Sequence, residues 1–148
     1  MRIHAGRVEL AGKIDVSTEK VASLGAPSGG GIWITSEGKL SVEPTTQFLA
    51  KGGNSATDFG NGNGGGGRIA LGQRLPAVKV AELAEDGELP VGCSVFELDD
   101  FLEVFPEVTV SLEGGHADNK PEDPPMEGCC GTFRYIIGPA PATVLMFK

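Results

Sequence analysis

The sequence predicts a mainly-β fold: a short parallel β-helix (β-solenoid) with glycine-rich loops and a small, partly helical insertion or cap around 76–105. Three observations predict it. Apolar and polar residues alternate with period two in short runs, glycine is clustered rather than dispersed, and one strand–loop–small residue–strand unit recurs three times.

The alternating runs come first in the chain. Arg7-Val8-Glu9-Leu10 is followed by Lys13-Ile14-Asp15-Val16-Ser17, Ile32-Trp33-Ile34-Thr35, Lys39-Leu40-Ser41-Val42-Glu43 and Gln47-Phe48-Leu49-Ala50. Runs this short, bounded by Gly, Pro, Ser or Asn, read as half-buried strands. The three repeat copies close on Gly29-Gly30-Gly31 before Ile32, on Gly64-Gly65-Gly66-Gly67 before Arg68-Ile69-Ala70-Leu71, and on Gly128-Cys129-Cys130-Gly131 before Thr132-Phe133-Arg134-Tyr135. Aligned by chemistry, Ile32, Ile69 and Phe133 share one inward position and Ile34, Leu71 and Tyr135 the next. Trp33, Ala70 and Arg134 then point outward, since strand side chains alternate faces.

Glycine makes up 23 of 148 residues, about twice the usual share. The clusters are expected to be tight turns and close backbone approaches, where glycine supplies φ > 0 or the absence of a Cβ. Cys129 and Cys130 are expected to stand in the third cluster because they are small.

The stretch 76–105 breaks the pattern. Val78, Val80, Ala81, Leu83 and Ala84 fit a helix ending before Gly87. Ser94-Val95-Phe96-Glu97 has the form of a capping box, ahead of Leu98, Phe101, Leu102 and Phe105 at helical spacing, although 93–96 fits a strand equally well. The domain reading is one unit over 1–148: glycine-rich coils at 1–75, the insertion at 76–105, and a final coil and C-terminal strand at 106–148. The tail Thr143-Val144-Leu145-Met146-Phe147 is read as that strand.

The formal net charge of −8 disfavours nucleic acid and anionic membrane surfaces as partners. No apolar stretch is long enough to span a bilayer, and Met1-Arg2-Ile3-His4-Ala5-Gly6 lacks the apolar core of a signal peptide. Cys93, Cys129 and Cys130 are too few and too oddly spaced for a disulfide framework; one bridge from Cys93 to either neighbour is left open.

The runs Gly29-Gly30-Gly31-Ile32-Trp33-Ile34-Thr35 and Gly52-Gly53-Asn54 with Gly64-Gly65-Gly66-Gly67-Arg68-Ile69-Ala70-Leu71 resemble repeats of glycine-rich, right-handed parallel β-helix proteins among large exported bacterial surface proteins, of the adhesin or autotransporter-passenger sort. The resemblance covers 7–71, returns at 108–137 and says least about 76–105. It implies a secreted or cell-surface location and a structural or adhesive task, with no catalytic residues to carry over.

Candidate chemistries were tested against the residues. Gly62-Asn63-Gly64-Gly65-Gly66-Gly67 satisfies GxGxxG, but a strand-like segment follows where a dinucleotide site needs a helix. Asn54, Asp58, Asn61 and Asn63 place hard oxygens on one loop, a speculative calcium set without EF-hand spacing; they are also ordinary turn formers. His116 with Asp118, Cys129 and Cys130 lacks metal-ligand spacing, and His4 is isolated. Asp99 and Asp100 are adjacent and diverge, a poor acid–base pair. Trp33, outward on a strand, is a candidate contact for a carbohydrate or a protein partner, or else a ring covered by the cap or a neighbouring subunit. The expectation is a non-catalytic structural or adhesive module without a cofactor, able to self-associate through its ends or to continue in a longer chain. The alternative is a carbohydrate-binding module or degenerate glycan-active β-helix.

Overall fold

Residues 1–18, 25–54, 63–86, 91–115 and 128–140 are described by the computed structural model. The alternating runs become strands β1 (Arg2–Ala5), β2 (Val8–Leu10), β3 (Lys13–Asp15), β4 (Gly31–Ser36), β5 (Leu40–Val42), β6 (Gln47–Leu49) and β7 (Arg68–Gln73). Helix α1 (Ala77–Asp86), β8 (Ser94–Phe96), α2 (Leu98–Val104), β9 (Thr109–Ser111) and β10 (Thr132–Ile137) follow. Each expected strand within the described residues forms. Strand β1 forms too, a four-residue alternating run (Arg2-Ile3-His4-Ala5) that the sequence reading did not include; it is held by pairing with β4, Ile3 opposite Ile34.

The strands make three sheets, ordered β1-β4-β7-β10-β8, β2-β5 and β3-β6-β9. The chain visits them in the same order twice, so every strand of the second pass lies parallel to its counterpart from the first. On the third pass β7 and β9 rejoin their sheets, but α1, β8 and α2 come where a third strand of the β2-β5 sheet is due. The class is mainly β. The complete coils expected from the repeat are not what the sheets form: β8 runs antiparallel to β10, and the β2-β5 sheet stops at two strands. The insertion is the reason. Phe101 of α2, 1% exposed, closes the core there with ring centroids 4.8 Å from Phe133 and 5.3 Å from Tyr135.

The core rows match the alignment of the repeats. Ile32 pairs with Ile69, and Ile69 with Phe133; Ile34 pairs with Leu71, and Leu71 with Tyr135. All six side chains are buried, each contributing roughly 1.5–3 kcal/mol relative to exposure. Trp33, Ala70 and Arg134 form the outward row between them.

Of the two roles the sequence offers for the glycine clusters, close backbone approach is the one the structure uses. Among the described glycines, positive φ is confined to Gly12, Gly25 and Gly92, none of which lies in the repeated clusters before β4, β7 and β10. The clusters are extended segments packed backbone against backbone. Gly53 N–H donates to the Pro27 carbonyl (2.9 Å), Gly64 to Gly53 (3.1 Å), Gly115 to Gly64 (2.8 Å) and Gly128 to Gly115 (3.0 Å). A methyl group at Gly64 would overlap the Pro27 carbonyl, and one at Gly115 the Gly53 carbonyl. What the fold uses is the missing Cβ, which lets carbonyl and amide meet where side chains would hold chains apart. Smallness does not explain the cysteines of the third cluster. Both are exposed, and it is the Cys129 carbonyl that joins the layer, accepting from Gly66 N–H at 2.8 Å.

In the insertion, α1 follows its apolar spacing, with Val80 buried against Leu75 and Ile136. Residues 94–96 are a strand, so the cap moves three residues on: Glu97 is the N-cap of α2, and its N–H donates to Asp100 Oδ2 at 3.3 Å.

Candidate binding groove

Parallel pairing in register turns a sequence alternation into a row of side chains crossing the sheet. On the outer face of the five-stranded sheet that row is Arg2 (β1), Trp33 (β4), Ala70 (β7) and Arg134 (β10). One row away, Gly31, Arg68 and Thr132 face one another. Where the sheet runs on past this row, α1 covers it: Leu75, Val80 and Ile136 are buried together, with Trp33 and Leu83 packed at their margin. The uncovered part is a groove of about 540 Å³, floored by Ala70 and Trp33 and walled by Leu83, with Arg2, Arg68 and Arg134 around it.

Its electrostatics run against the rest of the molecule. The chain carries −8 net, yet three of its five arginines line this groove, and among the described residues no carboxylate lines it. The Arg2 guanidinium lies over the Trp33 ring, 4.8 Å from its centroid, a cation–π contact that orients the charge. Arg134 Nε is 3.9 Å from Glu97 Oε1, with both side chains more than half exposed. Such a pair is weak and leaves the guanidinium available. Among the described residues Arg2 and Arg68 stand in no ion pair.

Trp33 is therefore half-buried, backed by the α1 cluster and covered by Arg2. Of the groove residues, the sequence reading singled out Trp33 as a contact and placed Arg134 only as outward. It missed Arg2 and Arg68. The signal for Arg68 was present, because a residue two before Ala70 on a strand shares its face.

A second cleft, about 410 Å³, lies between β5 and α2, lined by Leu40, Val42, Phe96, Val104 and Phe105. It marks the side of β5 that has no strand partner. There the Gln73 side-chain carbonyl accepts from Leu40 N–H at 3.4 Å.

The remaining candidates are dispersed. Asn54 and Asn63 are half-buried and flank the Gly53–Gly64 hydrogen bond, while Asp58 and Asn61 of the calcium set lie outside the described residues. His116 and Asp118 lie outside them too. Among the described residues, no group of three or more His, Cys, Asp or Glu side chains converges on a point. His4 Nδ1 is 2.9 Å from Thr35 Oγ1, and its Nε2 is 3.6 Å from Glu37. Asp99 and Asp100 occupy the first turn of α2, a favourable place for negative charge. All three cysteines are free thiols; burial pushes the Cys93 thiol up, opposed by the Lys79 charge. Burial likewise raises the Tyr135 hydroxyl, against the Arg74 charge. Among the described residues no helix is long and apolar enough to cross a membrane. Comparison with family models, with curated proteins and with solved structures finds no match for this chain.

Proposed function

We propose that this chain is a non-catalytic β-solenoid module with a structural or adhesive role in a bacterial cell-surface or secreted protein. One observation carries the reading: two passes through three sheets in one order, with Ile32, Ile69 and Phe133 stacked in one row, is how a solenoid shares a core between neighbouring repeats. The α2 insertion is then the cap that such a stack needs at one end. Strands β1, β2 and β3 each lie at the edge of their sheet, and open edges favour pairing with a second copy or with further chain.

The test is adhesion. Beads coated with the protein should be retained on cell or glycan surfaces, and light scattering should show self-association that rises with concentration. A monodisperse monomer that retains no bead would overturn the reading, as would turnover of any polysaccharide by the purified chain.

The groove favours a second reading, a carbohydrate-binding module or degenerate glycan-active β-helix. Its flat apolar floor between guanidinium groups suits a ligand with an apolar face and polar edges.

A further inference from the structure

We infer that the outer-face groove binds a carboxylated oligosaccharide, with Arg68 and Arg134 as a clamp on one carboxylate and Arg2 as the contact for a second. The inference rests on the carbohydrate-binding reading and narrows it to acidic sugars.

Position comes first. Arg68 on β7 and Arg134 on β10 are one strand and one row apart, diagonal neighbours with Cβ atoms about 7–8 Å apart. Two guanidinium forks at that spacing converge on a single carboxylate, which each can meet with paired N–H donors. Arg2 stands three strand spacings from Arg134, about 14 Å. A ligand reaching both is extended and carries acidic groups at intervals, as an oligomer of uronic acids does. Between the two ends lie Ala70 and the edge of Trp33, an apolar floor on which sugar C–H groups can rest.

Charge and stacking narrow the class further. Among the described residues the side-chain cations here are arginine and none is lysine, beside the Met1 ammonium held on the Gly31 carbonyl, so recognition favours anions that offer paired oxygens to a guanidinium fork. Single-stranded nucleic acid needs free aromatic faces for its bases. Among the described residues Trp33 is the one aromatic side chain lining the groove, and Arg2 already occupies its ring. Trp33 is thus a positioning residue: it holds Arg2 across the sheet rather than stacking on the ligand.

Titration calorimetry on the full chain tests this with three probes: tetragalacturonate, its methyl ester, and a short single-stranded oligonucleotide. The acid should bind, more weakly as salt rises, and the neutral ester at least tenfold more weakly. Arg68→Gln and Arg134→Gln should each lose on the order of tenfold in affinity. Arg7→Gln, outside the groove with its side chain 73% exposed, should lose nothing. Arg2→Gln and Trp33→Leu should each weaken binding, and the double variant should be no worse than Arg2→Gln alone. Equal binding of acid and ester would overturn the acidic class and leave the carbohydrate-binding reading standing. No binding of either sugar would overturn both. Tighter binding of the oligonucleotide, or unchanged affinity in both clamp variants, would overturn the inference.

Discussion

Gly115 lies against the backbone of Gly53 so closely that a methyl group on its Cα would overlap the Gly53 carbonyl oxygen, while its own N–H reaches the carbonyl of Gly64 at 2.8 Å. Gly64 in turn leaves no room before Pro27, and Gly128 none before Gly64. With Gly67 against the Gly30 carbonyl and Gly131 against the Gly67 carbonyl, the three glycine clusters and the pairs at 52–53 and 114–115 are one packed layer.

Adding a single methyl group therefore separates two meanings of glycine. Gly115→Ala and Gly64→Ala should each cost about 3 kcal/mol, because backbone on both sides must move. Gly6→Ala, with nothing within 4 Å of the added carbon, should stay within about 0.5 kcal/mol. Urea unfolding midpoints give the comparison, and equal losses at the three sites would remove the layer from the account.

Phe101→Ala tests whether α2 closes the core. The ring meets Phe105 and Phe133 at 4.8 Å each and Tyr135 edge-on. Its removal should cost about 3–5 kcal/mol and loosen α2 and β10 first, visible as faster amide exchange there than in β6. An unchanged unfolding midpoint would mean that the insertion merely rests on the sheets.

Acid should act partly through Asp15. The Lys13 ammonium, with Nζ 2.7 Å from Oδ2, and then the Ser17 N–H at 3.0 Å from Oδ1 hold its carboxyl down at about 2, from an ordinary 3.8. A depressed folded value means stability that is complete above the unfolded value and lost as pH falls from about 4 to about 2. The site is exposed, so the contribution is small, below about 1 kcal/mol at neutral pH. Asp15→Asn should flatten the stability curve across that acid window and match the parent protein below it. A variant curve parallel to the parent throughout would contradict the assignment.

The thiols should separate by rate. Cys129 and Cys130 are exposed, whereas Cys93 is half-buried beside the α1 cluster with its thiol pushed up by burial. At mildly alkaline pH, mass spectrometry after brief alkylation should find two labels taken up quickly and the third, on Cys93, slowly. Three equal rates would place Cys93 outside that cluster.

Much of the fold was legible because period-two alternation and repetition are local signals. Ile32, Ile69 and Phe133 align in the sequence by chemistry alone, and parallel pairing keeps that alignment as a row. Three things were not legible. Strand β1 is four residues with Ile3 as its one large apolar side chain, and it exists through its partner β4. The missing third strand beside β5 depends on Phe101 filling the space, a contact between residues far apart in the chain. For glycine the sequence offered both corner and close approach, and only neighbouring backbone decides between them. For the groove, the sequence offered Trp33 as an outward ring, either free for a ligand or covered by the cap or a neighbouring subunit. The Arg2 guanidinium over it comes from a register that no single strand encodes.

The most direct test is amide hydrogen exchange by NMR at Gly64, Gly66, Gly115 and Gly131, which belong to no strand yet donate to backbone carbonyls of other segments. A packed layer predicts protection approaching that of Ile34 and Leu71 in the core strands, all lost together at global unfolding. Exchange at the rate of Thr45 in the exposed turn after β5 would show that these glycines are ordinary loop residues, and the close-packed layer would have to be abandoned.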